Sequence, residues 1–247
     1  MLDTIILTIP KQCYSITDYK KFHTTKEAME YFGVGYACFK NNPTKEDKDI
    51  GIYKPCLTIF RRGAGLDLQI QFSAPKLLFN NNLDELGQEN FNCAVNILND
   101  RLLSMGVKLY SKEVIENANV IAFHPSKNIP LTQGYTAVFA IKELAKINIS
   151  KKFDVDTKDY RNGGQSLQLY TNSHSMVFYD KINDLNKEKN RAIDKDQTPQ
   201  QKDIFNFIKE QQPRLEILRL EIRLSKKRKM DEILEKVGHA PNPTFKD

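Results

Sequence analysis

A chain of 247 residues, 40% apolar and 28% charged, is long enough to bury a core as one large domain or two small ones. Its 10% aromatic content argues against intrinsic disorder, 11 Gly and 10 Pro exclude a collagen-like or linker composition, and no apolar run approaches the ~18 to 20 residues of a membrane-spanning helix. The excess of 37 Lys and Arg over 31 Asp and Glu, +6 in all with a pI of about 9.0, favours a polyanionic partner.

Leu2 to Ile9 is rich in β-branched residues and stops at Pro10, which predicts a first strand. Asp3 stands where a secretory signal carries positive charge, so the expectation is an intracellular, cytoplasmic chain. A polar stretch follows, with a short helix expected around Lys26 to Phe32 before Gly33. Gly35 to Lys40, Tyr53 to Arg61 and Leu66 to Phe72 carry strand-forming residues between turn signals, and Arg61-Arg62-Gly63-Ala64-Gly65 predicts a hairpin joining the last two. Leu66, Leu68, Ile70 and Phe72 alternate with Asp67, Gln69, Gln71 and Ser73, the pattern of a strand with one polar face. Cys13, Cys38, Cys56 and Cys93 are scattered without a C-x-x-C pair, so reduced thiols are expected rather than a disulfide framework or a cysteine zinc site.

From Asn90 the period changes. Phe91, Ala94, Val95, Leu98 and Leu102 fall at helical spacing and Gly106 supplies a stop. Asn119 to His124 reads as a strand ended by Pro125, and a second amphipathic helix spans about Tyr135 to Lys146, with Tyr135, Val138, Phe139, Ile141, Leu144 and Ala145 on its buried side. Asp154 to Gly164 reads as a loop. Gln165 to Thr171 and Ser175 to Lys181 form a hairpin pair around Asn172-Ser173-His174. The charged run Asn183 to Asp196 is helix-compatible, and Gln200 to Gln212 offers Ile204, Phe205 and Ile208 for a further helix. Arg214 to Leu224 alternates cleanly, with Leu218, Leu220, Ile222 and Leu224 facing one way and Arg219, Glu221 and Arg223 the other. Lys226-Lys227-Arg228-Lys229 follows, then a short helix at Met230 to Val237 and a Pro-rich end. Hairpins interspersed with a few helices make an α+β fold, a central antiparallel sheet with helices packed mainly on one face. Residues 1–224 form one domain in this reading, and 225–247, a basic segment and short helix, are expected either to end the chain's fold or to open a further C-terminal region.

No P-loop, dinucleotide fingerprint, zincin motif or hydrolase elbow is present, and His23, His124, His174 and His239 form no close pair. Chemistry is therefore sought on the strands. In Ser175-Met176-Val177-Phe178-Tyr179-Asp180-Lys181, alternation puts Tyr179 and Lys181 on one face. A tyrosine with a cation beside it can attack a phosphodiester; the alternative is an amphipathic strand tyrosine packed at a helix edge. In Leu218 to Leu224, Glu221 between Arg219 and Arg223 can bind Mg²⁺ or Mn²⁺ while the arginines contact phosphates, or the three can form a cross-strand salt-bridge ladder. His124, leaving the sheet before Pro125, is a metal ligand, an acid–base group or a hydrogen-bonded structural residue. The tetrad Lys226, Lys227, Arg228 and Lys229 is a solvated surface or a DNA-backbone clamp, and Phe60, Tyr160 and Tyr170 beside basic residues are core residues or base-stacking platforms.

In order along the chain, these segments resemble the replication initiators of filamentous phages. The start MLDTIILTIP is similar to that family's first strand, Pro55 to Ile59 and Ser73-Ala74-Pro75-Lys76 to a strand and turn of it, and SMVFYDK with LRLEIRL to its active-tyrosine strand and the strand after it. The last pair also resembles the plasmid rolling-circle initiators. The resemblance implies a metal-dependent endonuclease that nicks one strand at a replication origin, keeps the 5′ phosphate on a tyrosine and leaves a 3′ hydroxyl to prime synthesis in a bacterial host. By that resemblance Tyr179 is the nucleophile, or Tyr170 if the plasmid alignment holds. Glu221 is the metal-binding or general-base carboxylate, Lys181 a phosphate contact, and Arg219 and Arg223 are backbone clamps. His124 falls where the phage family has an aspartate, which implies a metal role, and the His-hydrophobic-His pair of the wider nickase superfamily is absent. Implied partners are single-stranded or supercoiled origin DNA, a host helicase and a single-strand-binding protein, with no membrane. A DNA-binding regulator that keeps the sheet without the chemistry is the competing reading, and an inert interaction domain is a third.

Overall fold

The computed structural model describes residues 2–24, 38–62, 65–147, 157–161, 164–171, 173–185, 199–210, 215–224 and 226–247. Among the described residues, ten strands form one sheet in which every pairing is antiparallel: β1 (Leu2–Ile9), β3 (His23–Thr24), β4 (Cys38–Asn41), β5 (Cys56–Arg62), β6 (Gly65–Ser73), β8 (Asn119–Leu131), β9 (Thr157–Arg161), β10 (Ser166–Tyr170), β11 (Ser175–Asp180) and β12 (Glu216–Arg223). Their order is β3-β4-β5-β6-β1-β8-β12-β11-β10-β9, and a small ribbon pairs β2 (Tyr14–Ile16) with β7 (Val107–Leu109). The helices are α1 (Lys45–Asp49), α2 (Ala74–Phe79), α3 (Phe91–Ser104), α4 (Glu113–Glu116), α5 (Ala137–Lys146), α6 (Lys181–Leu185), α7 (Pro199–Glu210) and α8 (Lys227–Lys236). The α+β architecture expected from the pattern is the one observed. The helix expected at Lys26 to Phe32 lies outside the described residues, as does most of the charged run from Asn183 to Asp196.

Strand β8 joins the halves. Residues up to Pro125 pair with β1, and Ser126 to Leu131 pair with β12 on its other side. The strand expected to stop at Pro125 thus continues through it. Pro125 sits at the handover, opposite a register shift between Leu2 and Thr4, where a missing N–H disturbs the ladder least. The segment read as a loop, Asp154 to Gly164, contains the edge strand β9, whose charged sequence carries no apolar alternation and takes its order from pairing with β10.

The apolar face follows from period-two patterning. Ile5, Leu7 and Ile9 of β1, Leu68, Ile70 and Phe72 of β6, and Leu57 and Ile59 of β5 are all buried, under Leu98 and Leu102 of α3. Each such side chain contributes roughly 1.5–3 kcal/mol relative to exposure. Gly106 terminates α3 with φ +82, where its N–H meets the carbonyl of Leu103 and an added Cβ would come 2.9 Å from Asp18 Cβ. Farther along the same face, Ile141 of α5 packs on Leu167, Leu169 and Leu218. Thr136 caps α5 by accepting from the Phe139 N–H at 3.1 Å. Tyr135 and Phe139, expected to be buried, are 54% and 48% exposed and lie against each other, because Ala137, Ile141 and Leu144 mark the face turned to the sheet.

Residues 226–247 pack on the same core. Met230 of α8 is fully buried with Leu224, and Phe245 packs against Phe72 and Phe91. The final residues lie along the start of β8, with backbone bonds from Val120 to Pro243 and from Phe245 to Ala118. Among the described residues, no helix is long and apolar enough to cross a membrane.

Candidate functional site

Alternation turns a second set of side chains to the opposite, polar face of the sheet. Register places Tyr179 of β11 beside Arg219 of β12 and Asn128 of β8. The next row holds Val177, Glu221 and Ser126, and Ser175 beside Arg223 forms a third. Thr4 of β1 pairs with His124 of β8 on the same face. Helix α6 closes one end, its Ile182 packing with Ile208 of α7 and Ile217 of β12. An open cavity of about 350 Å³ results, walled by Tyr179, Glu221 and Arg223 from one half of the sheet and by Thr4, Cys56 and Gln71 from the other, with Asp3, Asp184 and Lys76 of α2.

Glu221 is the hub. Its Oε2 accepts a hydrogen bond from the Tyr179 hydroxyl at 3.4 Å, and its Oε1 accepts from Arg223 Nε at 2.9 Å and lies 3.6 Å from His124 Nδ1. The carboxylate is 7% exposed and Arg223 40%, so the arginine is the solvent-facing member of the pair. Burial pushes the Tyr179 phenol well above its ordinary value of 10.0; Arg219 pulls it down, while Glu221, Asp184 and Asp3 push it up. The phenol is therefore protonated at neutral pH and needs a base to react. Burial lowers His124 below 6.5, with Arg223 adding to the effect and Glu221 opposing it, so its imidazole is neutral at neutral pH.

Tyr170 shares this face but not this position. It pairs with Ser175, next to Arg223, whereas Tyr179 pairs with Ser166, four residues away on β10; that is ~13 Å along the strand. Geometry thus brings Tyr179 to Glu221 and leaves Tyr170 at the arginine.

Two expectations need correction. Lys181 does not extend the β11 face: the strand ends at Asp180, whose carboxylate accepts from the Asn183 N–H and caps α6, and Lys181 is fully buried behind Tyr179, its Nζ 5.8 Å from the ring centroid. Arg219 is not exposed either. It is 0% accessible and held by Asp3 at 2.8 Å, the Asn82 carbonyl at 2.7 Å, Ser126 at 2.9 Å and Asn128 at 3.2 Å, so it braces the site from behind instead of clamping a DNA backbone. The tetrad after β12 is the N-cap and first turn of α8, where Lys227 pairs with Asp231 and Arg228 and Lys229 pair with Glu232 one turn on, and Arg228 stays 94% exposed. Of the stacking candidates, Phe60 and Tyr170 are half-buried, and the Tyr160 side chain lies outside the described residues.

Asp3, Ser126, Lys76 and Asp184 are site residues that patterning did not select. Asp3 did carry a signal: a carboxylate within a strand otherwise made of apolar residues and threonines, which calls for a buried cation opposite.

A divalent cation fits here only in part. His124 Nδ1 and Glu221 Oε1 are close enough to share one, since bonds of about 2.0–2.2 Å span such a gap. Arg223 occupies the same oxygen, and among the described residues no group of three His, Cys, Asp or Glu converges. The protein thus offers two donors, and phosphate oxygens and water would have to complete the shell. No known family model, curated protein or solved structure matches the chain.

Proposed function

We propose that the chain is a site-specific DNA nickase and strand transferase that initiates rolling-circle replication, with Tyr179 as nucleophile. The observation that carries this reading is the Tyr179 hydroxyl directed at the Glu221 carboxylate, 3.4 Å away, on the wall of an open cavity they share with Arg223. Glu221 takes the phenolic proton as the Tyr179 oxygen bonds to phosphorus. The bond from phosphorus to the 3′ oxygen breaks, the 5′ phosphate stays on the tyrosine, and the 3′ oxygen leaves as a hydroxyl, its proton supplied by water. Arg223, the most exposed cation of the site, exchanges Glu221 for the phosphate and so frees the base. The resemblance implies Mg²⁺ or Mn²⁺; His124 and Glu221 would hold it, and when bound it supplies neutralisation of charge on the phosphate. Origin DNA, single-stranded or supercoiled, is the substrate in this reading, and a helicase and a single-strand-binding protein are the partners the resemblance implies.

The test is incubation with labelled DNA of the chain's own replicon and Mn²⁺ or Mg²⁺, followed by a denaturing protein gel. A covalent adduct is expected, lost in Tyr179→Phe, kept in Tyr170→Phe, and formed about 10²–10⁴ times more slowly in Glu221→Gln. DNA retention without an adduct under either metal would overturn the nickase. It would instead support a non-catalytic DNA-binding regulator, a reading favoured by the saturation of Glu221 by Arg223.

A further inference from the structure

Lys181 is a buried amine that the proposed reaction does not use. It is 0% exposed, its Nζ has no hydrogen-bond partner, and its nearest counter-charge, Asp184, is 3.8 Å away. Five groups face it: Arg219 of β12, Asp184 of its own helix, Asp3 of β1, Lys76 of α2 and the Tyr179 ring of β11. Four of these, all but Arg219, also wall the cavity. The amine thus sits one layer behind the surface that a ligand would touch.

The charges around it nearly cancel. Lys54 pairs with Asp47, Arg219 with Asp3, and Arg223 with Glu221. Lys76 and Asp184 are one cation and one anion on the same wall. Among these described residues the wall carries no net charge unless Lys181 is protonated. Burial, with Arg219 adding to it, pushes the amine down to about 7 against the pull of Asp184 and Asp3, so it is largely neutral at pH 8.

We infer that the cavity takes a backbone phosphate of single-stranded DNA beside Tyr179, and that Lys181 acquires a proton as the phosphate enters, turning a neutral wall into a cationic one. The inference rests on the reading of this cavity as the DNA site. A bound anion favours the charged amine by proximity, and by linkage the charged amine favours the anion. Asp3 and Asp184 do not repel the ligand outright, because Arg219 and the protonated Lys181 are their partners.

Calorimetric titration with (dT)₁₂, which contains no origin sequence, reads this step apart from cleavage. Performed at pH 8 in Tris and in HEPES, it gives the number of protons taken up from the difference in heat. Close to one proton per strand is expected at pH 8, roughly a tenth at pH 6, and affinity weakens about tenfold per pH unit above 8. Lys181→Met and Lys181→Gln should bind with no uptake and no such pH dependence. Inorganic phosphate at equal concentration should give no comparable heat; equal binding would overturn the assignment to a strand. Uptake that persists in Lys181→Met, no uptake in the wild-type chain, or no binding at 1 mM (dT)₁₂ would overturn the inference. If both variants fail to fold, an NMR titration of the lysine side chains in the wild-type chain decides. One amine titrating near pH 7 should move above pH 9 in the complex, and an unmoved midpoint refutes the proposal. A tyrosine adduct without proton uptake would remove this inference and leave the nickase; uptake without an adduct would do the reverse.

Discussion

Arg219→Met removes the joint between the two halves of the sheet. The guanidinium reaches from β12 to Asp3 at 2.8 Å and also holds Ser126, Asn128 and the Asn82 carbonyl, all within 3.2 Å. Methionine fills the space but leaves the Asp3 carboxylate, 12% exposed, without its arginine. Breaking a buried pair from one side costs about 3–5 kcal/mol. Against a total stability of about 5–15 kcal/mol for an ordinary protein, that is a large fraction, and for this chain length it corresponds to a fall in Tm of roughly 6–20 °C. Urea unfolding followed by circular dichroism at pH 7 measures it. Arg219→Met with Asp3→Asn should recover part of the loss, because the uncompensated charge is gone. A second arm comes from pH. Burial alone would raise Asp3, but Arg219, Lys181, Lys76 and the Ser73 hydroxyl more than offset it and hold the carboxyl below 3.8. Its contribution is therefore complete above about pH 4 and is lost as pH falls through the lower folded-state value. The deficit of Arg219→Met should narrow on that descent. A deficit under about 1 kcal/mol at pH 7, or one unchanged between pH 7 and pH 3, would refute the reasoning.

Lys181→Met reverses the sign. The folded-state amine lies at about 7 against 10.5 unfolded, so the wild-type chain loses stability as pH falls from 10.5 to 7, by up to about 5 kcal/mol from this group. The variant should lack that dependence and become the more stable of the two at the lower end; parallel urea curves at pH 7 and pH 10 would contradict this. Gly106→Ala places a Cβ 2.9 Å from Asp18 at φ +82, so a loss of about 1–3 kcal/mol in thermal unfolding is expected, and a neutral result would mean the α3 stop does not need its left-handed turn.

Much of the sheet was legible because period-two alternation is a local property. Leu66 to Ser73 and Arg214 to Leu224 declared their two faces residue by residue; burial along β6 largely follows those faces, whereas β12 is covered on both, with Arg219 and Glu221 buried more deeply than Leu220 and Ile222. Helix α3 was equally plain, since Ala94, Val95, Leu98 and Leu102 keep one period and Gly106 ends it. Strand β9 was not legible, because an edge strand draws its order from its neighbour rather than from its own side chains. Pro125 misled for a related reason: whether a proline ends a strand depends on which partner faces it, and here the partner changes at that residue.

Glu221 and Tyr179 stood out in the sequence as an acid and a phenol on alternating strands, but nothing local could say that they meet at 3.4 Å while Tyr170 lies beside Arg223. That depends on the register between β11 and β12, a pairing of segments about forty residues apart. Exposure was likewise undecided until the chain closed. Arg219 and Arg223 are four residues apart on the same strand face, yet one is sealed behind Asp3 and the other opens to solvent, because β1 and α6 cover only one end of the face. Residue chemistry and periodicity therefore determined which side chains share a face. Tertiary pairing alone decided which of them touch, which are desolvated, and which remain within reach of a ligand, because register and coverage are properties of distant segments brought together.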